Sequence, residues 1–435
     1  MQQTKPEIVL APLKGQTGYA PAAVLGNWLQ QTGFLAPVWE QVQWAMKTRE
    51  HRPAAKLESL LVSVLVGNRA VSQINSTIRP DLGLAQAWGQ RQFAEQSTLA
   101  EMLNQVGGAE VAQLQQGFGN LMQHHSQVTH HDFEANWLLI DYDATGLLIS
   151  RKAEGSQKGY FTGQRNRYGR QLGRIIAPSY HETLASQLYP GSRRAFTTVK
   201  EAFKTFEQRM PLTRAQRQRI IVRGDAGIGT DANINWLLWR GYQVLMKGFS
   251  HTRATAQAQC IAPEAWLADP DQARWIAPAV APPRFGRRAD VYVLRWLTQK
   301  GPKHGTLINT VPHLSPWAAL HLCDGRGAAE VEIRADKQGL KLPKRRKRQL
   351  TAQMILIILT DIAHNLLSWL HAAAMQDGPL ASFGTLRMVE DLLTIPGCLY
   401  FKGPALHKVA LLETHPYAGQ MRDVLNKLWT ISSIP

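Results

Sequence analysis

The chain has 435 residues, 44% of them hydrophobic and 13 of them Trp, enough apolar material for two or three globular units and too much for disorder throughout. Lys and Arg outnumber Asp and Glu by 49 to 32, a formal +17 that points to a polyanionic partner without saying which one. Cys260, Cys323 and Cys398 lie far apart, which excludes a disulfide framework and a cysteine zinc site and suits a reducing cytoplasm.

Residues 1–6 lack the apolar core of a signal peptide. Turn-forming Pro and Gly run through residues 1–53, with helices expected over 23–31 and 38–47. Leu57, Leu60, Leu61, Val64 and Leu65 then recur at helical spacing. Thr98 and Glu101 form a capping-box pattern opening a helix over 99–106. Short helices separated by turns predict an all-α region over residues 1–130. It is large enough to hold a helix-turn-helix, and a helical lid without DNA contact is the alternative. His124, His125, His130 and His131 have neither an accompanying Cys nor a second i,i+4 pair, and read as a polar linker, not a metal site.

From residue 137 the pattern changes. An apolar strand ends in acid at Asp143, a second strand is expected over 146–150 and a third over 172–177, together an antiparallel meander. A helical pattern over 198–210 leads to a fourth strand, 219–225, which also stops at an aspartate, Asp225. A helix opening near Thr230 and a strand over 242–247 follow. Ends of strands are where such sheets put their sites. Over 249–312, Pro263, Pro270, Pro278, Pro282 and Pro283 break any long helix while 289–297 and 305–311 have β character, so this stretch reads as a β-rich insertion.

Ser315 as N-cap with Pro316 in the first turn predicts the next helix. On it Cys323, Arg326, Glu330 and Lys337 fall within an arc of about 60°. Gly325 and Gly327 weaken that helix and leave a kink open. Lys341-Leu-Pro-Lys344-Arg345-Arg346-Lys347-Arg348 then offers six cations in eight residues, suited to phosphates if it is more than a solvated loop. Residues 354–374 are apolar, but Asp361, His364 and Asn365 fall within the span a bilayer would need, so a buried helix and no membrane is expected. A strand over 399–412 and a helix over 421–428 close the chain.

The spacing Cys323-x2-Arg326-x3-Glu330-x6-Lys337, with Asp143-Ala-Thr and Arg223-Gly-Asp225-Ala-Gly upstream in that order, resembles the Tyr-Arg-Glu-Lys group of bacterial insertion-sequence DDE transposases of the cut-and-paste type. Cys323 stands where the family has Tyr. The resemblance covers residues 136–369 and implies an α/β fold, an RNase H-like mixed sheet flanked by helices with a β-rich insertion before the glutamate helix and an all-α N-terminal domain. The implied division is a DNA-binding region over 1–130, a catalytic core over 131–248 and 313–380, the insertion over 249–312 and a strand-helix cap over 381–435.

The same resemblance implies that Asp143, Asp225 and Glu330 are the catalytic, metal-binding carboxylates, with Asp141 the rival to Asp143. Hard oxygen ligands select two Mg2+ ions, with Mn2+ able to substitute. Arg326 and Lys337 would hold phosphates near the element end, joined by Lys344, Arg345, Arg346, Lys347 and Arg348 as DNA contacts. One of Trp266, Trp275 and Trp296 would meet a flipped base. The implied partners are double-stranded DNA with terminal inverted repeats, target DNA and a second copy of the chain in a synaptic complex, in the bacterial cytoplasm and on the nucleoid. Cys323 leaves two other readings open: a catalytically silent DNA-binding descendant, and a nuclease of the same fold that cuts without joining.

Overall fold

A computed structural model describes residues 14–46, 50–161, 164–269 and 272–430. The N-terminal stretch 1–6, Lys47 and Pro270 lie outside them. The chain opens with helices α1 (Ala20–Thr32), α2 (Pro53–Leu65) and α3 (Gly108–His125). Pro21 in the first turn of α1 and the left-handed Gly33 (φ 64°) after it set its limits. The helix expected over 38–47 shrinks to Ala36–Trp39. The one expected from Thr98 starts at Gln96 with Glu95 before it, so Thr98 lies inside a helix and caps nothing.

The sheet begins with β1 (Leu138–Leu148), one continuous strand where two were expected. The reason is Gly146: a Cβ there would come within 2.2 Å of the Phe161 ring, so a glycine that reads as a turn instead makes room for a neighbour. β2 (Gln157–Phe161), β3 (Gln164–Ala177) and β4 (Glu182–Pro190) complete an antiparallel meander. β2 and β4 lie end to end along the same edge of β3. Helix α4 (Val199–Arg209), strand β5 (Ile220–Gly224), helix α5 (Asp231–Arg240) and strand β6 (Gln243–Lys247) follow. β5 is parallel to both β1 and β6.

Residues 249–312 do not fold as a separate sheet. Their strands β7 (Leu267–Ala268), β8 (Arg274–Pro278), β9 (Asp290–Thr298) and β10 (Gly301–Asn309) extend the first sheet to ten strands, in the order β2-β3-β1-β5-β6-β10-β9-β8-β7 with β4 on β3. The free edge of β6 is taken up by β10, and burial of Leu307 and Ile308 rewards that junction.

Two helices come next, α6 (Pro316–Asp324) and α7 (Gly327–Gln338), then the long α8 (Leu350–Ala374). α8 is long and apolar enough to cross a membrane, yet it is buried against α2, α3 and β4. Its polar residues are paired inside: Asp361 with Arg174, His364 with Asp336, and Asn365 with the Thr183 backbone. The chain closes with a hairpin of β11 (Gly397–Lys402) and β12 (Ala405–Leu411) and with α9 (Ala418–Thr430), which packs on α1 and α8. One apolar core runs from Ala20 to Leu428, so the N-terminal helices and the C-terminal cap share their interior with the sheet.

Candidate active site

The register of two parallel strands brings the aspartates together. Asp141 of β1 lies opposite Arg223 of β5; two residues on, Asp143 continues β1 on the same face, and Asp225 follows directly on the end of β5. Asp141 itself is spoken for. It is fully buried and accepts both Nε (2.6 Å) and Nη2 (2.8 Å) of Arg223, whose Nη1 donates to the Leu322 carbonyl of α6 at 2.6 Å. The Arg of the Arg-Gly-Asp segment is thus a strut from β1 to α6, and Asp143 is the carboxylate left facing the site.

Glu330 arrives from above. Ser315 caps α6 by accepting from Ala318 N, as its sequence predicts. The helix then breaks at Gly325 and Arg326, and α7 restarts with Glu330 in its first turn. The single stripe expected through Cys323, Arg326, Glu330 and Lys337 is therefore split. Ala329 and Ile333 seat α7 on Ile176 of β3, and Asp336 is locked to Arg174 and His364 beneath it.

The acids converge on one guanidinium. Arg326 pairs with Glu330 at 2.7 Å, and its Nη1 is buried without a hydrogen-bond partner. Burial opposes the charge of Arg326, but Glu330, Asp143 and Asp225 together raise its pKa. Burial also pushes Asp143 up to about 6; Arg326 pulls it back while Asp225 and Glu330 push it further. Lys337 donates its Nζ to Thr145, one step along the same face of β1 from Asp143. Its pKa is lowered by burial against the pull of Asp143.

Among the described residues, no three of His, Cys, Asp and Glu stand close enough to enclose one metal ion. The donor chemistry nevertheless fits a hard divalent cation: three carboxylates share an undersupply of positive charge, and one of them, half-exposed Glu330, is occupied by a guanidinium with a vacant N–H. Two of the four histidines pack against the fold. His125 stacks on Phe34 at 3.8 Å, His131 meets the Tyr180 hydroxyl at 2.6 Å, and the adjoining Ser126 and Gln127 bind Glu182, so this stretch is pinned to β4.

One motif residue, Cys323, and one expected DNA contact, Arg345, turn inward. Cys323 lies in the core, 2% exposed with its thiol against the Leu245 carbonyl, and burial pushes it up to about 11. It presents nothing to the site. Arg345 is 3% exposed and donates to the carbonyls of Asn68 (2.7 Å) and Leu340 and to Thr360, so it fastens the loop and is not free for phosphate. Lys341 pairs with Glu390, and Lys347 is half-buried. Lys344, Arg346 and Arg348 are exposed.

Sequence reasoning passed over a polar network beside Asp225. Arg274 links Asp269 to Asp324, and Lys247 at the end of β6 donates to Asp324 at 3.0 Å; the two cations hold Asp324 below the usual range although burial alone would raise it. Single charged residues dispersed between positions 247 and 324 carry no spacing signal that would reveal it. Next to this network a cavity of about 330 Å³ is lined by Ala226, Lys247, Trp275, Arg295, Trp296 and Thr306. The Arg295 guanidinium stacks between Trp266 (4.4 Å) and Trp275 (4.9 Å). A further cavity of about 820 Å³ lies among the N-terminal helices, beside Glu58 and Trp88.

Ten strands with flanking helices define a mixed α/β protein, with acidic residues at the ends of its central parallel strands. The family model described as "Transposase DDE domain group 1" matches residues 25–433, and the chain belongs to that family. No curated protein matches the sequence. Among solved structures, a cryo-EM structure of a piggyBac transposase synaptic complex with hairpin DNA is similar, with a TM-score of 0.48 and 9% identity over 88% of this chain and 82% of that one.

Proposed function

We propose that this transposase cleaves the ends of an insertion sequence and transfers the 3′ ends to target DNA, with Asp143, Asp225 and Glu330 holding Mg2+, or Mn2+ in its place. The observation that carries this reading is the convergence of the three carboxylates on Arg326, where two parallel strands and the start of a helix meet. The strand order β4-β3-β1-β5-β6, antiparallel and then parallel, supports an RNase H-like core. Two bound divalent ions would supply activation of the attacking hydroxyl and neutralisation of the leaving oxygen.

The rest of the chemistry belongs to the chain. The paired aspartates and the first turn of α7 provide three oxygen donors from separate elements. Arg326, once Glu330 turns away, is free to grip a phosphate with two N–H groups, and Lys337 adds a point charge beside Asp143. Lys344, Arg346 and Arg348 extend the cationic surface. The cavity lined by Trp275 and Trp296 is of a size and character to stack an unpaired base. Two copies would bring two ends together.

The test uses a linear duplex carrying the inverted repeat that flanks the protein's own gene, in Mg2+ and in EDTA, beside Asp225→Ala and Glu330→Ala. Cutting at the repeat boundary is expected to need the metal and both acids, with DNA binding kept in the variants. Cleavage that survives Asp225→Ala sinks the assignment. The buried Cys323 and the Arg326–Glu330 pair favour one second reading, a silent DNA-binding descendant; binding without cutting in Mg2+ and in Mn2+ establishes it. Cutting without joining in a strand-transfer gel marks a nuclease.

A further inference from the structure

The sheet has a second cationic feature, on the edge opposite the insertion. Arg151, Lys152, Lys158, Arg165 and Arg167 are exposed on and beside the β2–β3 hairpin, and among the described residues none of them is in an ion pair. The exposed Arg348 belongs to the same face, because the backbone N–H of Glu154 donates to its carbonyl at 2.9 Å. The one acid in this stretch, Glu154, has a carboxylate oxygen accepting from Leu350 N at 2.8 Å. Several exposed cations without a carboxylate partner on a short hairpin make a positive surface that favours an anionic partner.

The face is also rigid, which a merely solvated charge run does not require. Arg170, 1% exposed, spends its guanidinium on three carbonyls: Nε on Glu154 (2.7 Å), Nη1 on Lys347 (3.1 Å) and Nη2 on Arg348 (2.7 Å). One buried arginine of β3 thereby ties the loop before β2 to the loop before α8. Gly159 and Gly191 let β2 abut the end of β4. A Cβ on Gly159 would lie 2.3 Å from the Gly191 carbonyl, and one on Gly191 would lie 2.1 Å from that of Gly169. The backbone segments that carry Lys158 and Arg348 are thus tied to β3, which is itself paired with β1.

Arg174 of β3 sits opposite Asp143 in the strand register, and Arg167 lies seven residues up the same strand, about 24 Å from Asp143 at about 3.4 Å per residue. That is the length of about seven base pairs of duplex. Resting on the transposase reading above, we infer that the β2–β3 hairpin with Arg348 is a backbone clamp that grips duplex DNA about seven base pairs from the cleaved bond, through phosphates and without reading sequence. It is distinct from Arg326 and Lys337, which sit at the carboxylates themselves.

The test compares wild type with Lys158→Ala/Arg165→Ala/Arg167→Ala, and with Arg165→Lys/Arg167→Lys as the charge-preserving control, after confirming equal thermal midpoints. Affinity is measured from 50 to 300 mM NaCl on a 40-base-pair repeat-end duplex, on a random-sequence duplex of equal length and on a repeat-end duplex cut back to four base pairs on each side of the scissile bond. Removal of three phosphate contacts should lower the slope of log K against log salt by about 2.7 and weaken binding on the order of 10²-fold at 0.1 M salt. The loss should be equal on both long duplexes and absent on the short one, with the lysine variant close to wild type. An unchanged slope, or an equal loss on the short duplex, overturns the clamp. Failure of the wild type itself to bind duplex would instead overturn the transposase reading.

Discussion

At the scale of single residues, position 323 shows how burial decides the role of a motif residue. A tyrosine at the start of the Tyr-Arg-Glu-Lys spacing brings a hydroxyl and an aromatic face, whereas Cys323 fills a hole between α6 and β6. Cys323→Tyr should therefore overpack that hole and lower stability by about 1–3 kcal/mol without tightening binding of the repeat-end duplex. Burial also keeps the thiol protonated, so iodoacetamide should label the exposed Cys260 at once and Cys323 only after unfolding, as peptide mass mapping would show. Rapid labelling of Cys323 in the folded protein would contradict its placement. Asp143 and Asp225 were legible in the sequence because each follows an apolar run. The choice against Asp141 rests in the structure on a partner, Arg223, that lies 82 residues away and leaves no trace in local pattern.

At the scale of elements, the turn after β5 carries the tightest steric demand near the site. A Cβ on Gly229 would fall 1.9 Å from the Lys247 carbonyl, a backbone atom that cannot swing aside. Gly229→Ala should force the Asp225 turn away from the end of β6, costing about 2 kcal/mol or more and abolishing cleavage; urea melts and the repeat-end assay check both. Wild-type stability in that variant would mean that the two strands have slack. Most helices and the four strands of the central order could be read from periodicity and caps. Three features could not: Gly146 as an interior strand residue, β10 continuing the edge of β6, and Arg345 turning inward from a run of like charges. Each is decided by what lies across the fold, and a sequence window does not contain it.

At the scale of the whole molecule, two buried groups give stability a common pH trend. Burial pushes Glu58 up to about 7 although Gln30 and Gln90 donate to it at 2.6 and 2.7 Å. A carboxyl whose folded pKa is raised favours folding fully below its unfolded value near 4.5, and that advantage is lost as pH climbs through 7. Asp336 and Glu332 raise His364 to about 9 against the effect of burial, so its contribution is complete below its unfolded value near 6.5 and is lost as pH rises through 9. Both terms therefore decline in the same direction, each by up to about 3 kcal/mol. Thermal midpoints should fall from pH 6.5 to 9.5; at lower pH the neutral form of His125, whose pKa burial lowers to about 4, gains as pH rises and offsets the loss at Glu58. Glu58→Gln should remove the loss at Glu58 between 4.5 and 7 and stabilise the protein at pH 8; a variant that parallels the wild type throughout would refute the assignment.

The pairing of Gln16 and Thr17 with Cys398 and Gly397 has a consequence in time. The two halves of that small sheet are made about 380 residues apart, on the order of 20–80 s at ordinary rates of synthesis. The helices that precede the sheet cannot close their interior until its far end has emerged. A chain cut short before residue 397 would lack the strand that closes this small sheet over the N-terminal helices.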